Sequence, residues 1–300
     1  MAWEITTQSD ISELTVALTE HSLASLQNES LFAPGGPLNS LLWTKDLPLG
    51  AKSDQFVRMN SQTAGRVTDG VDYAASGQLD PTGVTVTATE AIVIVTLTDY
   101  ARSGSIDDLG MHAGREMGFA MANLWDAEVM ALHTSFNSEV GTSGSVLTLA
   151  MLDSGVTTLY KAKHGGPYWA VFHPNQWSNL VTQTTLTLGS NTGGVGTVLD
   201  KITGTYFLVG MPLHNANIAV SNNVPTGNTA ADHSGAIYSR DAAVGCVIQK
   251  HPDTGGPWLN VVGIQRDESP RAKEAVLTSS YAVAEIDGTA AVACETDYAA

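Results

Sequence analysis

Basic side chains are scarce in this chain. Its 300 residues include 14 lysines and arginines against 30 aspartates and glutamates, which gives a net charge of −16. Proteins that bind nucleic acid or anionic membranes in general carry a basic surface, so the composition argues against both classes. Charged residues of either sign make up only 15% of the chain, against roughly 25% in typical soluble domains. Much of the surface must therefore be neutral, which suits a protein whose outer faces contact copies of itself.

Cysteines and long apolar runs are also few. Cys246 and Cys294 lie far apart, without CxxC spacing, and we expect two free buried thiols. No run of eighteen apolar residues could span a membrane. The first residues, MAWEITTQSD, lack the basic region and apolar core of a signal peptide, so we expect synthesis in the cytosol.

The longest helical pattern runs from Ser105 to Asn137, and no proline interrupts it. Ser105 can cap the first turn with Asp108, and the pair Asp107 and Asp108 suits the positive end of the helix dipole. At 1.5 Å per residue such a helix would be roughly 45 to 50 Å long. The three- and four-residue spacing predicts a buried face made of Ile106, Leu109, Gly110, Ala113, Met117, Ala120, Met121, Leu124, Ala127, Ala131 and Leu132.

The two strongest strand patterns are residues 56–67 and 84–98. The second alternates valine and threonine and then becomes the run IVIV at 92–95, which predicts burial on both faces there. Gly70, Gly77, Pro81 and Gly83 are expected to supply turns between the two strands. We interpret the whole as a long two-stranded arm whose outer part has too few apolar residues to pack a core alone, so that it needs a partner surface.

The remaining patterns mix helices and strands without regular βαβ alternation, which predicts the α+β class. Residues 31–50 contain three prolines and three glycines and are expected to be irregular. They are nevertheless apolar enough to lie against their own chain or a neighbour's. We expect helices at 11–27, 146–163 and 175–181, a mobile loop at 189–197, and strands at 168–173, 205–210, 216–224, 235–249, 258–266, 276–286 and 289–295.

The order of these pieces resembles the major capsid protein of tailed bacteriophages, with the Hong Kong 97 phage fold. The phrase DDLGMHAGREMGFAMANLWDAEVMA is similar to the spine helix of that family, and YWAVFHPNQWSNL to its strand, His-Pro, glutamine and helix segment. GAIYSRDAAVGCVIQ and SYAVAEIDGTAAVAC resemble its late strands. The joint order, which covers nearly the whole chain from about residue 30, carries the resemblance.

The resemblance implies a division of the chain into domains. Residues 1–52 would be the N-terminal arm and 53–98 the extended loop with its return strand. Residues 99–144 and 241–300 would form the peripheral domain with the spine helix, and 145–240 the axial domain.

The family's function implies that copies of the chain assemble into hexamers and pentamers of an icosahedral shell around packaged double-stranded DNA, in the virion of a tailed phage. The extended loop of one copy would then lie over its neighbour. Implied partners are a portal, a scaffold and a possible decoration protein, with no cofactor and no enzymatic activity. An encapsulin-like cellular compartment is the alternative within the same fold.

Two departures from the family pattern matter. Some relatives crosslink subunits through a lysine of the extended loop, but Lys45 and Lys52 both precede this loop here, so we expect a noncovalent shell. Some relatives also carry a long scaffolding segment before the arm. The start methionine precedes the arm by only about thirty residues, and we expect a separate scaffolding protein, as the resemblance implies.

Charged residues near the predicted arm and late strands are candidates for contacts between subunits. On an arm otherwise poor in charge, arginines could pair with acidic residues of the adjacent copy and fix its register. A later stretch reads as a salt-bridged turn at a subunit contact, with a carboxylate metal site as its alternative. These candidates are Arg58, Arg66 and Asp69 in the loop, and Arg266, Asp267, Glu268 and Arg271 in the turn.

A metal-dependent enzyme is the alternative from another class. Asp108, His112 and Glu116 follow one another at four-residue spacing and would share one helix stripe that could hold a divalent metal. A solvated or subunit-facing edge is the simpler interpretation, because Arg115 nearby favours ion pairing. The other histidines lack HxxH or HExxH spacing, no GxSxG motif occurs, and GSNTGGVGT lacks the ending of a phosphate-binding P-loop.

Overall fold

The computed structural model describes residues 19–27, 29–59, 64–69, 79–100, 109–180, 216–227, 232–267 and 271–297. These residues form helices and three separate β-sheets, which confirms the predicted α+β class. The predicted helix start at 105–108, loop at 189–197 and strand at 205–210 lie outside the described residues.

The described residues include four α-helices of seven residues or more, and residues 99–100 are also helical. Helix α1 covers 19–27, helix α2 is Leu109–Ala131 and is called the spine helix below, α3 is Leu149–Lys161, and α4 covers 174–180. The side chain of Thr148 caps α3 by accepting a hydrogen bond from the Met151 amide at 3.2 Å. Short 3-10 turns at Asn39–Leu41 and Leu132–Ser135 complete the helical elements.

Twelve strands are found in the same part of the chain. Their bounds are β1 (Leu42–Asp46), β2 (Ser53–Met59), β3 (Pro81–Thr87), β4 (Thr89–Thr98), β5 (Glu139–Val146), β6 (Tyr168–Phe172), β7 (Ala216–Val220), β8 (Asp232–Tyr238), β9 (Val244–Ile248), β10 (Val261–Asp267), β11 (Ala272–Glu285) and β12 (Ala291–Asp297).

The first sheet has the order β1-β9-β11-β10, and β4 pairs with the opposite edge of β11. The spine helix covers one face of this sheet, where Met117, Met121 and Trp125 belong to the same core as Leu277 and Tyr281. The rings of Trp125 and Tyr281 stack with centroids 3.8 Å apart. The helix is therefore fixed to the longest strand of the sheet by large buried side chains.

The second sheet has the order β5-β12-β8-β6-β7, and its residues from β12 to β7 are mostly buried, whereas the edge strand β5 is partly exposed. Alternate residues of β12 contribute to two different cores: Ala291 and Ala293 join the core of the spine helix, while Val292 and Cys294 join the core beneath α3. Every residue of β8 is buried. This sheet thus forms the middle layer of the molecule.

Strands β2 and β3 form a two-stranded hairpin of their own, with Ser53 opposite Thr87 and Met59 opposite Pro81. We call residues 53–87 the extended hairpin, of which 60–63 and 70–78 lie outside the description. The resemblance placed an extended loop in this part of the chain.

The predicted single strand at 84–98 divides near Ala88, because β3 pairs with β2 whereas β4 pairs with β11. The prediction that residues 92–95 are buried on both faces is wrong. Val93 and Val95 pack against the core, but Ile92 and Ile94 are 55% and 56% exposed. The spine helix covers only one face of the sheet, so the other side of this apolar run is open to solvent in a single copy.

Three other strand predictions are corrected. Residues 235–249 contain two strands, β8 and β9, which belong to different sheets, because the polar turn around Arg240 redirects the chain. The expected irregular segment 31–50 contains strand β1, since the prolines lie outside 42–46 and the strand finds a parallel partner in β9. Strand β11 begins at Ala272, inside the stretch expected to be a break.

The spine helix is buried along a face that only partly matches the prediction. Ala113, Met117 and Met121 are buried as predicted. From Ala120 onward, the small and apolar residues of the predicted face other than Met121 are mostly exposed. The other buried residues of this half of the helix lie on a different side, which packs against residues of both sheets. The exposed residues of the predicted face are Ala120, Leu124, Ala127 and Ala131, and the buried residues that the prediction missed are Ala122, Trp125, Asp126, Val129 and Met130.

Candidate subunit interface

The extended hairpin is attached to the rest of the chain by one of its faces. Phe56 of β2 and Val86 of β3 are buried against Leu47, Val247 and Ile286. Residues on the other face of β2 point away from this core: Val57 and Met59 are 40% and 62% exposed. The hairpin therefore exposes apolar side chains to solvent, and this exposure does not stabilise an isolated subunit.

Close packing beneath the hairpin depends on a glycine in strand β9. A Cβ atom at Gly245 would clash with the Ile286 side chain and would lie 3.0 Å from the ring of Phe56. Lys45 lies on the other side of Phe56, with its ammonium 4.7 Å from the ring centroid, and forms an ion pair with Asp54 at 3.2 Å. The ring is thus enclosed between the body of the molecule and the side chain of a lysine.

Arg58, a predicted contact with a neighbouring subunit, has partners in its own chain. Its guanidinium forms an ion pair with Asp287 and donates a hydrogen bond to the carbonyl of Ile286 at 3.5 Å. The arginine side chain remains 43% exposed, while that of Asp287 is only 7% exposed. Any acidic residue of another subunit must therefore share this arginine with Asp287. Arg66 and Asp69 are both exposed in the segment 64–69.

The predicted salt-bridged turn is arranged differently from the expectation. The guanidinium of Arg266 contacts the carboxylate of Asp99, beyond the end of β4, at 3.0 Å. Asp267 ends β10 opposite Ala272, Arg271 is exposed with a positive φ of 49°, and Glu268 lies outside the described residues. The ion pair joins β10 to the end of β4, and the role of these residues between subunits stays a prediction.

The open face of the first sheet is a second exposed surface, with an uncharged patch beside Glu90 and Glu274. Ile92 and Ile94 of β4 lie opposite Thr278 and Val276 of β11, and Val276 in turn lies opposite Gly263 of β10. Because paired residues point to the same side of a sheet, these residues form one continuous surface without charge.

The spine helix is tied to residues 30–32, in the predicted N-terminal arm, by a buried carboxylate that the sequence pattern does not reveal. Asp126 accepts hydrogen bonds from the Ser30 hydroxyl at 2.6 Å and from the amides of Leu31 and Phe32 at 2.9 and 3.1 Å. Burial raises the pKa of this carboxyl, and the three hydrogen bonds oppose that shift. The arm therefore lies against its own chain, where Leu31 and Phe32 are buried.

Two stacked histidines lie where α4 meets strand β8. The rings of His173 and His233 are 3.6 Å apart and nearly parallel, at 12°. The Asn175 amide donates to Nδ1 of His173 at 3.2 Å, so this imidazole is neutral in the structure. Burial, and then the neighbouring ring, lower the pKa of His173 to about 4. The two histidines show no metal-ligand spacing in the sequence, and only the three-dimensional arrangement reveals the pair.

The residues considered for catalysis or metal binding are not assembled into a site in the described part of the chain. His112 and Glu116 are exposed on the spine helix, and Asp108 lies outside the description. No group of three or more histidines, cysteines or acidic residues that could hold a metal is found among the described residues.

Cys246 and Cys294 are free and buried, and burial raises the pKa of each thiol to about 12, so neither is activated. No described helix is long and apolar enough to cross a membrane.

Solved structures with a similar fold form shells. The capsid of cyanophage P-SCSP1u matches with a TM-score of 0.64 at 14% identity, over 87% of this chain and 88% of that chain. The capsid of Ralstonia phage GP4 gives 0.63 at 11% identity, over 87% and 88%. The SrpI encapsulin from Synechococcus elongatus gives 0.58 at 13% identity, over 88% of each chain.

Neither a family model nor a curated protein sequence matches this chain. The likeness at such low identity is therefore one of fold, and over most of the chain that fold is the one expected from the sequence, the HK97-like capsid fold.

Proposed function

We propose that this protein is the major capsid protein of a tailed phage, which assembles through hexamers and pentamers into an icosahedral shell around double-stranded DNA. The observation that carries the proposal is the extended hairpin, which is attached on one face and exposes Val57 and Met59 on the other. Together with a fold similar to that of capsid proteins, this exposed face supports a contact with the next copy.

The surface of the subunit supports assembly through many weak contacts. The exposed face of the hairpin is neutral and partly apolar, and the open face of the first sheet holds an apolar patch beside Glu90 and Glu274. Burial of apolar surface contributes about 25 cal/mol per Å², and many modest interfaces per subunit add up to a stable shell through multivalency. The domain division at 1–52, 53–98, 99–144 with 241–300, and 145–240 belongs to this proposal.

The shell is expected to be noncovalent. Lysine is absent from residues 53–98, and Lys45 just before them is held in the subunit by Asp54 and by the carbonyl of Gln55 at 2.6 Å. A separate scaffolding protein, a portal and a possible decoration protein complete the proposed set of partners, in a virion assembled in the host cytoplasm.

An encapsulin-like compartment is the second candidate, because the SrpI encapsulin matches over 88% of this chain. The two functions differ in what the shell encloses. Particles purified from the natural source should protect DNA from nuclease if the chain is a phage capsid protein. Particles that contain a protein cargo and no protected DNA would favour the compartment.

Negative-stain electron microscopy with light scattering tests assembly directly. The purified protein, with scaffold candidates where needed, should form closed shells or rings of five and six subunits. A stable monomer or dimer under all these conditions would contradict the proposal.

Charge reversal separates two roles of the arginines in the hairpin. Arg66→Glu should abolish shells and leave a folded subunit if Arg66 pairs with a neighbour, and intact shells from this variant would contradict that contact. Arg58→Glu should in addition disturb the subunit itself, because its partner Asp287 belongs to the same chain.

A further inference from the structure

Five polar side chains form a continuous chain of contacts from the extended hairpin into the body of the molecule. The guanidinium of Arg58 pairs with Asp287, whose Oδ1 accepts a hydrogen bond from the Thr289 hydroxyl at 2.6 Å. The same Thr289 oxygen lies 3.1 Å from Nε2 of His164, and Nδ1 of this histidine lies 2.9 Å from the carboxylate of Asp241. The contacts therefore connect strand β2, the β11–β12 turn and the loops that follow α3 and β8.

The order Thr289, His164 and Asp241 has the appearance of a nucleophile, a base and an orienting acid. The direction of the hydrogen bonds argues against that role. Because the Thr289 hydroxyl already donates to Asp287, it can only accept from His164. The proton of this hydroxyl is directed at Asp287 and not at the imidazole, so His164 is not placed to remove it as a base. The arrangement suits a structural connection between charged groups.

Asp287 is held in place by contacts on several sides. The amide of Thr289 donates to Asp287 Oδ1 at 3.0 Å, in addition to the hydroxyl. The backbone amides of Ile286 and Asp287 both donate to the carbonyl of Ala243, at 2.8 and 3.0 Å. The carboxylate is therefore a fixed, nearly buried acceptor, whereas its partner Arg58 belongs to the hairpin.

Arg58 occupies a special position along strand β2. It lies on the same face as Phe56, two residues closer to the tip of the hairpin, and the next residue, Met59, is 62% exposed. Among the described contacts of β2 with the body, the pair of Arg58 and Asp287 lies nearest to the tip. Among these contacts, it is therefore the one that limits how far β2 can turn away from the body.

We infer that the contact between Arg58 and Asp287 is a latch that sets the angle of the extended hairpin, and that Thr289 and His164 position the carboxylate of this latch. Closed, it holds the hairpin against the body. Open, it frees the outer hairpin while Phe56 remains in its apolar core. The latch acts within one chain and does not depend on shell formation. In assembly, the latch would set the angle of the hairpin before neighbouring subunits meet. This consequence rests on the proposed function.

Hydrogen–deuterium exchange of the unassembled full-length subunit tests the latch. Arg58→Gln and Asp287→Asn should each raise the exchange rate of hairpin amides about tenfold, as expected for loss of one partly buried ion pair. Exchange in β11 and β12 should stay as in the wild type. Thr289→Val, which does not touch the hairpin, should raise hairpin exchange in the same direction, and Thr289→Ser should restore it, because serine keeps the hydroxyl.

Arg66→Gln is the matched control, since it removes an exposed arginine from the same hairpin and should leave exchange unchanged. Combining Arg58→Gln with Asp287→Asn should add little to either single variant, because both open the same contact. The inference is overturned if the two single variants leave hairpin exchange within twofold of the wild type, or if their effects simply add. Electron microscopy of the wild type decides the proposed function separately.

Discussion

His133 should make the subunit sensitive to acid. It is fully buried after the spine helix, where its Nδ1 donates to the carbonyl of Ser234 at 2.8 Å and its Nε2 has no partner among the described residues. Burial lowers its pKa from 6.5 to about 4, and the bond to Ser234 opposes only part of that shift. The folded protein therefore holds a neutral imidazole that the unfolded chain protonates more readily.

The sign and size of the effect follow from the difference between the two pKa values. Between pH 6.5 and pH 4 the unfolded chain binds more protons at this residue, so the free energy of unfolding falls as the pH is lowered through this window. Proton linkage with these two values gives a loss of about 2 kcal/mol between pH 7 and pH 5 from His133 alone. This is a large part of the stability of an ordinary domain.

Urea unfolding of the unassembled subunit at several pH values measures this loss. In His133→Asn the side-chain amide can still donate to Ser234, but it cannot be protonated. The difference in unfolding free energy between wild type and variant should change by about 2 kcal/mol from pH 7 to pH 5, because all other titrating groups are common to both proteins. His112→Asn, at an exposed site on the spine helix, should show no comparable change. If the difference in unfolding free energy between the wild type and His133→Asn is the same at pH 7 and pH 5, the reasoning is refuted.

Three further variants test individual contacts through the stability of the unassembled subunit, measured by urea unfolding. Asp126→Ala should cost about 3 kcal/mol or more, since three buried donors of the arm lose their acceptor; a loss below about 1 kcal/mol would mean that water replaces the carboxylate. Gly245→Ala should cost about 1 to 3 kcal/mol by overpacking against Ile286 and Phe56, and an unchanged stability would show that this contact relaxes freely. Thr148→Ala should cost about 1 kcal/mol through loss of the α3 cap, whereas Thr148→Ser should not.

The fold could be predicted from the sequence because the order of its elements is distinctive. The spine helix, the β2 and β3 strands and the late strands each have a clear hydrophobic period. Boundaries between sheets could not be predicted in this way. Strands β8 and β9 are separated by only a short polar turn around Arg240, and the sequence does not show that this turn sends them to different sheets.

The candidate contacts were harder to predict, because they depend on partners distant in sequence. Arg58 was identified as important from its isolation among neutral residues, but its partner Asp287 lies more than two hundred residues further on. Asp126 was missed because a charged residue at that spacing usually faces solvent, and only the three donors of the arm explain its burial. Alanines such as Ala120 and Ala127 carry too little apolar surface to define a helix face.

Both large sheets are completed by strands that follow nearly all of their partners along the chain. Strand β11 lies between β4 on one side and β9 and β10 on the other, and β12 lies between β5 and β8. Neither sheet can close on the ribosome until residues 272–297 have left the exit tunnel. In a nascent chain the strands on either side of β11 and β12 must therefore wait for these two strands before their sheets are continuous.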